Sequence, residues 1–225
     1  MNNTRSLIIG SSFAVFCIAL IGLAVYFSVH QATVPRSSPL DASYTKRLDK
    51  GAWYSGSQNP KVTIIEYADF QCPGCRAEAP LISQAIAANK DVAQLEFHTY
   101  PLVTIHANAL QAAKAAEAAG RQGKFCEFHD LLFTNQPDWS TQTSADFSKI
   151  LDGYASSLKM NLDQFHQDSD DNTIEDPINK DVTAGDAIHI QGTPTLIING
   201  TTLTSLPKSV DDYNTLIKEA AANAH

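Results

Sequence analysis

The sequence predicts an α/β fold with a mixed central sheet, built from a β-α-β unit and a β-β-α unit with a helical region between them. One N-terminal transmembrane helix is predicted ahead of this domain. Three patterns predict this architecture: an uncharged run at residues 7–29, a strand-turn-helix pattern at residues 62–89, and two β-branched runs flanking Asn199-Gly200.

The size and composition of the chain indicate one folded domain. Of the 225 residues, about 175 remain after the N-terminal segments, enough for a sizeable core. The 44% hydrophobic and 18% charged content is ordinary for a globular protein. A net charge of -8 argues against a nucleic-acid partner, because phosphate backbones are bound by clustered Lys and Arg.

The run at residues 7–29 is long enough to cross a bilayer. As a helix it would reach about 34 Å, against a hydrocarbon core of about 30 Å. A cleaved signal peptide would have a shorter apolar region and a small-residue cleavage site, and none is evident around residues 28–32. Residues 1–30 are therefore predicted to be a cytoplasmic tip and an uncleaved signal anchor, with a removed signal peptide as the alternative.

Residues 31–50 carry Pro and Ser with little periodic apolar content, which is typical of an extracytoplasmic linker. The folded domain is then expected at residues 51–225. This arrangement makes the chain a single-pass protein of the cell membrane, with its domain on the extracytoplasmic (periplasmic or outer) side.

The first half of the domain reads as a β-α-β unit. Residues 62–68 form a short β-branched run that fits a buried central strand. Helical spacing follows at residues 78–89, and residues 92–100 predict a second strand. Two strands joined through a helix are expected to be parallel.

A helical insertion is predicted at about residues 105–190. Residues 107–119 are rich in alanine and are expected to end at Gly120. Residues 124–133 place aromatic and leucine side chains on one face. Shorter helices should follow, one of them begun by Asn161, which has Gln164 at capping-box spacing.

The C-terminal part returns to strands. Residues 195–198 and 201–204 flank Asn199-Gly200, a pair suited to a type I′ hairpin turn. Ser209 is expected to cap the last helix, which completes the β-β-α unit.

The candidate reactive site is Cys72-Pro73-Gly74-Cys75, at the junction of a strand and a helix. The helix N-terminus should lower the pKa of a solvent-facing Cys72, which makes this sulfur the attacking or leaving group. Cys75, inside the helix, would resolve the mixed disulfide. Pro73 suits the first helical position, where its missing N-H has no partner to lose.

Other roles for a C-x-x-C pair stay open. A zinc site would need a second such pair or Cys and His at ligand spacing, and the sequence has neither. A copper-handling module would want a further His or Met near the pair. A structural disulfide suits an oxidising compartment, although the strand-turn-helix setting disfavours it. No metal site is therefore predicted.

Four motifs occur in order along the domain: TIIEYADFQCPGC at residues 63–75, Pro101-Leu102 with His106, Gly123-Lys124-Phe125 with Phe128-His129-Asp130, and Gly192-Thr193-Pro194-Thr195. With these motifs, the sequence resembles the membrane-anchored branch of the DsbA-like thioredoxin superfamily over about residues 56–220. The resemblance implies a thioredoxin fold with an inserted helical domain, and a protein disulfide oxidoreductase with no cofactor beyond the redox-active Cys72-Cys75 disulfide. It also implies cysteine-containing protein substrates and a membrane redox partner of the DsbB or vitamin K epoxide reductase type.

The resemblance also assigns roles around the cysteines. Thr193-Pro194 would form a cis peptide facing them and, with Pro73 and Gly74, would bind substrate. Glu66 would be a buried carboxylate with a raised pKa that carries the Cys75 proton. The alternative for Glu66 is an ordinary polar residue at the end of a strand.

Two positions depart from the family pattern. Relatives usually carry a bulky or histidine residue at Gly74 and Trp at Cys126, and Cys126 is expected to be a small buried residue. Cys17 falls in the predicted membrane span and is expected to be inert. His106 and His129 are expected to serve helix initiation and packing.

The sequence therefore predicts a moderately oxidising enzyme that introduces disulfides into secreted or membrane proteins. Gly74 offers Cys72 no donor, and Glu78 is expected to add a like charge near the thiolate. A disulfide reductase or isomerase is the alternative within this class. A copper-handling or non-catalytic adaptor domain is the alternative from another class.

Overall fold

The computed structural model describes residues 36–39 and 53–224. The described strands are β1 (Arg36–Pro39), β2 (Trp53–Gly56), β3 (Val62–Ala68), β4 (Ala93–Thr99), β5 (Thr195–Ile198) and β6 (Thr201–Leu203). They form one mixed sheet, and their order across it is β1-β6-β5-β3-β4-β2.

Helices cover the sheet, and most of them lie between β4 and β5 in the chain, where the helical insertion is predicted. The helices are α1 (Pro73–Ala88), α2 (Ala109–Arg121), α3 (Phe125–Thr134), α4 (Gln136–Trp139), α5 (Ser144–Ser157), α6 (Leu162–Asp170), α7 (Glu175–Ala187) and α8 (Val210–Ala222), with a short 3-10 helix at Asn172–Ile174.

β3 is a central strand, as predicted. It pairs parallel with β4 and antiparallel with β5, so that Glu66 lies opposite Phe97 on one side and Leu196 on the other. Every residue of β3 except Thr63 is buried, as expected for a strand covered on both faces. The β3-α1-β4 segment is the predicted β-α-β unit.

The predicted turn and caps are confirmed. Asn199 and Gly200 both have positive φ, at 45° and 80°, which a type I′ hairpin requires. The side chain of Ser209 accepts a hydrogen bond from the Asp212 N-H at 3.2 Å. The Asn161 side chain likewise accepts from the Gln164 N-H at 3.0 Å.

One predicted helix boundary is confirmed and another is wrong. α1 begins at Pro73, the predicted first helical position, so the reactive pair lies at its first turn. α2 continues through Gly120 to Arg121, because this glycine serves packing rather than termination. A Cβ at Gly120 would lie 2.1 Å from the Trp53 ring, which stacks on Phe125 with a centroid separation of 4.3 Å.

Among the residues N-terminal to the predicted domain, the structure describes only residues 36–39. They were predicted to be part of the linker, but they form the edge strand β1, antiparallel to β6. In this position they pair with backbone groups of β6 that would otherwise be free at the sheet edge. The predicted transmembrane span at residues 7–29 lies outside the described residues. Within residues 53–224, no helix is both long and apolar enough to cross a membrane.

Candidate active site

The cysteine pair lies where β3 ends and α1 begins. After Ala68 the chain turns, and the Cys72 N-H donates to the Asp69 carbonyl at 3.0 Å. Cys72 stands at the N-cap of α1, and proline follows it at the start of the helix. The turn therefore brings Cys72 and Cys75 together at the helix N-terminus.

Cys72 lies beneath the loop that precedes β5. Its thiol donates to the Thr193 carbonyl oxygen at 3.3 Å, and because this loop covers it, Cys72 is only 8% exposed rather than solvent-facing as predicted. Hydrogen bonds from the Cys75 thiol and from the backbone N-H groups of Cys75 and Gly74 lower the pKa of Cys72 to about 5, against the opposing effect of burial. A thiol with this pKa is a thiolate at neutral pH, the form that attacks disulfides.

Cys75 has the opposite environment. It is fully buried, and burial raises its pKa far above the ordinary thiol value, with further increases from its hydrogen bond to Cys72 and from the Glu66 charge. The Asp69 N-H approaches its sulfur at 3.5 Å. The reduced pair is therefore a thiolate at Cys72 and a thiol at Cys75.

Glu66 projects from β3 into the core beside this buried thiol. It is 1% exposed, and burial, followed by the charge of Glu78, raises the pKa of Glu66 to about 8. Its Oε1 has no hydrogen-bond partner among the described residues. A carboxyl with this pKa can hold or release a proton near neutral pH.

Thr193 and Pro194 are joined by a cis peptide bond next to the helix start. A Cβ at Gly74 would lie 3.2 Å from Pro194 Cδ and 3.6 Å from Cys72 Sγ, so glycine lets this loop approach closely. Thr193, Pro194 and Gly74 thus meet beside the Cys72 sulfur, and Pro73 adjoins them in the chain. These are the four residues that the resemblance assigns to substrate binding.

Asp69 is a site residue that the sequence reasoning missed. Its buried carboxylate accepts from the Gln71 N-H at 2.7 Å and the Leu102 N-H at 2.8 Å, and it contacts His106 Nδ1 at 2.7 Å. It therefore joins the reactive turn to the loop at residues 101–106. The Asp and the His are both visible in the motifs, but a pairing across 37 residues requires the fold.

Two further contacts were not predicted. The Gln136 side chain donates to the carbonyls of Phe70 and Cys72 at 2.7 and 2.9 Å, which fixes the backbone before the helix. Glu78 was expected to act on Cys72 but is buried and accepts a hydrogen bond from the Tyr213 hydroxyl. Its charge acts on Glu66 instead, because it points toward the core side of α1.

The predictions for the other cysteines and histidines have mixed outcomes. Cys126 is exposed rather than buried, because α3 turns Phe125 and Phe128 into the core and Cys126 away from it. His129 has the predicted packing role: its ring lies against those of Phe97 and Phe133, with centroid separations of 4.7 and 4.9 Å. Cys17 lies outside the described residues. Within the described part of the chain, no group of three or more His, Cys, Asp or Glu side chains could hold a metal ion.

The fold and the site together define a thioredoxin-type protein with a redox-capable C-x-x-C pair at a helix N-terminus. A family model described as thioredoxin matches residues 49–219, and the chain belongs to this family. The predicted resemblance to DsbA-like proteins is confirmed. A structure of the thiol-disulfide exchange protein alpha-DsbA2 from Wolbachia pipientis is 23% identical, with a TM-score of 0.64 over 80% of this chain and 91% of that one.

Two of the sequence relatives differ in how much of their own length the chain covers. A probable disulfide bond formation protein D of Bacillus cereus is 23% identical over 210 residues, 89% of this chain and 91% of the relative. The Na(+)/H(+) antiporter NhaA 3 of Salinispora tropica is 37% identical over 145 residues, 64% of this chain. The chain spans about a fifth of that antiporter's length, 21%.

Proposed function

We propose that the chain is a membrane-anchored, extracytoplasmic protein thiol-disulfide oxidoreductase that introduces disulfides into secreted or membrane proteins. The observation that carries this proposal is the unequal pair: the pKa of Cys72 is lowered to about 5 while that of Cys75 is raised. A structural disulfide has no need of such a difference, whereas exchange chemistry does.

The reaction follows from this difference. A substrate thiolate attacks Cys72 of the Cys72-Cys75 disulfide, and Cys75 leaves with the electron pair and receives a proton from Glu66. A second substrate thiolate then attacks the substrate sulfur of the mixed disulfide, and Cys72 leaves as a stabilised thiolate. The substrate gains a disulfide, and the protein is reduced by two electrons.

The surroundings of Cys72 suit a polypeptide substrate. The backbone at Thr193 and Pro194 borders the sulfur, where an extended substrate segment can pair with it. Val103 and Ile105 are 57% and 71% exposed on the loop that Asp69 anchors to the reactive turn. Exposed apolar side chains on a loop that is joined to the reactive turn favour the unfolded, cysteine-containing segments that such an enzyme would oxidise.

The proposed location and partner follow from the chemistry and the N-terminal sequence. The uncharged run at residues 7–29 supports a signal anchor. Disulfides persist in oxidising, extracytoplasmic compartments, so the domain would work there. Continued turnover then needs an acceptor for two electrons, and a membrane oxidoreductase of the DsbB or vitamin K epoxide reductase type would supply it.

Trapping the cysteines in living cells tests the direction of the reaction. Rapid acid quenching and alkylation of free thiols should find the Cys72-Cys75 pair mostly oxidised, with a Cys72→Ser, Cys75→Ser double variant as the reference for band positions. A mostly reduced pair would replace the oxidase by a reductase or isomerase. Tight, stoichiometric Cu(I) binding without exchange activity would favour the copper-handling alternative.

A further inference from the structure

A second buried carboxyl lies behind the reactive pair. Glu78 stands one turn after Cys75 on α1 and is 3% exposed, and it accepts the hydroxyl hydrogen bond of Tyr213, which is fully buried on α8. Glu66, 1% exposed, lies on β3, against which α8 packs, and α8 packs in turn on α1. The proposed disulfide exchange assigns no role to Glu78 or Tyr213.

The groups that face Glu66 come from four elements. α1 contributes Cys75 and Glu78, and α8 contributes Tyr213, whose pKa is raised by burial and by both carboxyls. The neighbouring strands place Phe97 and Leu196 opposite it. Among the described residues, the charge that acts on Glu66 is therefore that of another carboxylate.

Two buried carboxyls that repel each other electrostatically cannot both ionise cheaply, so one of them keeps a proton near neutral pH. Their hydrogen bonds differ: Glu78 has a donor in the Tyr213 hydroxyl, while Glu66 Oε1 has no partner in the described structure. A donor stabilises a carboxylate, and a buried charge without one is costly. The charge is therefore favoured on Glu78 and the proton on Glu66.

We propose that Tyr213 holds Glu78 as the carboxylate and thereby places the shared proton on Glu66, next to Cys75. Glu78 and Tyr213 are then positioning residues that act through Glu66, and the inference rests on the proposed exchange reaction. When substrate opens the disulfide, the S-S electron pair goes to Cys75, the Glu66 proton goes to that sulfur, and Glu66 becomes the carboxylate. Water then returns a proton to the carboxyl pair.

Carboxyl titration of the oxidised full chain tests this assignment. With the glutamate side-chain carboxyl carbons labelled with carbon-13, NMR follows each group against pH, and Glu66→Gln and Glu78→Gln variants assign the signals. Glu66 is expected to titrate at the higher pH. In Tyr213→Phe the Glu78 midpoint should rise and the Glu66 midpoint should fall, because Glu78 loses its donor.

Controls keep the test independent of folding and of activity. Tyr154→Phe alters a partly buried tyrosine of α5 and should leave both midpoints in place. Glu78→Gln keeps an acceptor for Tyr213 and should lower the Glu66 midpoint, because the like charge is gone. A Glu78 midpoint above that of Glu66 in the wild type, or no change in Tyr213→Phe and Glu78→Gln, would overturn the proposal. A separate assay of the wild-type chain tests the proposed function: if it does not oxidise dithiol substrates, that function is contradicted, whatever the carboxyl midpoints are.

Discussion

The two sides of the cysteine pair have opposite electrostatic character. On the outer side, the helix N-terminus and the Cys75 thiol give Cys72 hydrogen-bond donors, and its pKa falls to about 5. On the core side, burial raises the pKa of Cys75, Glu66 and Glu78 alike. One turn of helix therefore separates a region that stabilises negative charge from one that retains protons.

This difference gives each sulfur its role. A stabilised thiolate is a good leaving group and can attack at neutral pH, whereas a buried thiol must receive or lose a proton whenever its disulfide opens or closes. The outer side should therefore control reactivity and redox potential, and the core side should control proton transfer. Substitutions on the two sides are expected to have different consequences.

The largest expected effect comes from replacing each of the two cysteines by serine in turn. Cys72→Ser should abolish dithiol oxidation, because the sulfur with the lowered pKa is lost. Cys75→Ser should keep attack by Cys72 but accumulate mixed disulfides, because the resolving thiol is missing. Non-reducing electrophoresis of each variant from cells, before and after reduction, measures this. Equal trapping by both variants would remove the distinction between the two sides.

Removing the buried acid should slow proton transfer and change the pH dependence of stability. Glu66→Gln should slow reduction of the disulfide by about 10²-fold or more, the usual range for a lost general acid. The wild-type pKa is about 8 in the folded protein, above the unfolded value of about 4.3, so wild-type stability is lost as pH rises between these values. Glu66→Gln should therefore gain stability over wild type across this window and show no advantage below about pH 4.

Glu117→Gln is the matched control for this prediction. Burial raises the pKa of Glu117 to about 7, and its carboxylate accepts from the Trp53 ring N-H at 2.9 Å, in the contact of β2 with α2. Like Glu66→Gln, this variant should gain stability over wild type as pH rises, which denaturation at several pH values measures. Its stopped-flow exchange rates should stay at the wild-type value. If Glu117→Gln slows exchange as much as Glu66→Gln does, proximity to Cys75 is not what matters.

A smaller effect is expected at Gly74. Gly74→His should lower the Cys72 pKa further and raise the reduction potential, with about 30 mV for each 1.4 kcal/mol of added thiolate stabilisation. A Cβ here meets Pro194 Cδ at 3.2 Å, so the loop must shift by a few tenths of an ångström, and Gly74→Ala separates this shift from the imidazole effect. Equilibration in glutathione buffers measures both potentials. An alanine variant as oxidising as the histidine variant would show that loop displacement is responsible.

The smallest expected effect is at Cys126. It is exposed on α3, and partial desolvation of its sulfur, followed by the charges of Asp130 and Glu127, raises the pKa of Cys126. Cys126→Ser should leave the exchange rate unchanged and change the free energy of unfolding by less than about 0.5 kcal/mol. Alkylation at neutral pH should modify Cys72 well before Cys126. A marked loss of activity in Cys126→Ser would extend the reactive region beyond the helix start.

Local patterns in the sequence were sufficient for much of the fold. The β-branched run of β3, the Asn199-Gly200 turn and the caps at Asn161 and Ser209 depend on neighbouring residues, and all were predicted correctly. The role of Gly120 was not predicted correctly. A side chain at this position would collide with the Trp53 ring, and Trp53 lies 67 positions earlier in the chain. Tertiary packing had overridden a local stop signal.

The same distinction holds for the site. Cys72 and Cys75 are identifiable from their spacing, while the link from Asp69 to His106 and the contact of Tyr213 with Glu78 join distant parts of the chain. The exposure of Cys126 depends on how α3 is rotated against the core, and the short apolar run around it does not specify whether the position directly after Phe125 faces the core. The sequence identified the reacting atoms, and the fold was needed to find the groups that tune them.

The most direct test of the contrast between the two sulfurs is the ionisation of the reduced pair. Ultraviolet thiolate absorbance of the full chain against pH should show one transition below neutral pH, centred at about 5, which disappears in Cys72→Ser and survives in Cys126→Ser. A midpoint at the ordinary thiol value of about 8.5, or a low-pH transition that persists without Cys72, would contradict the account.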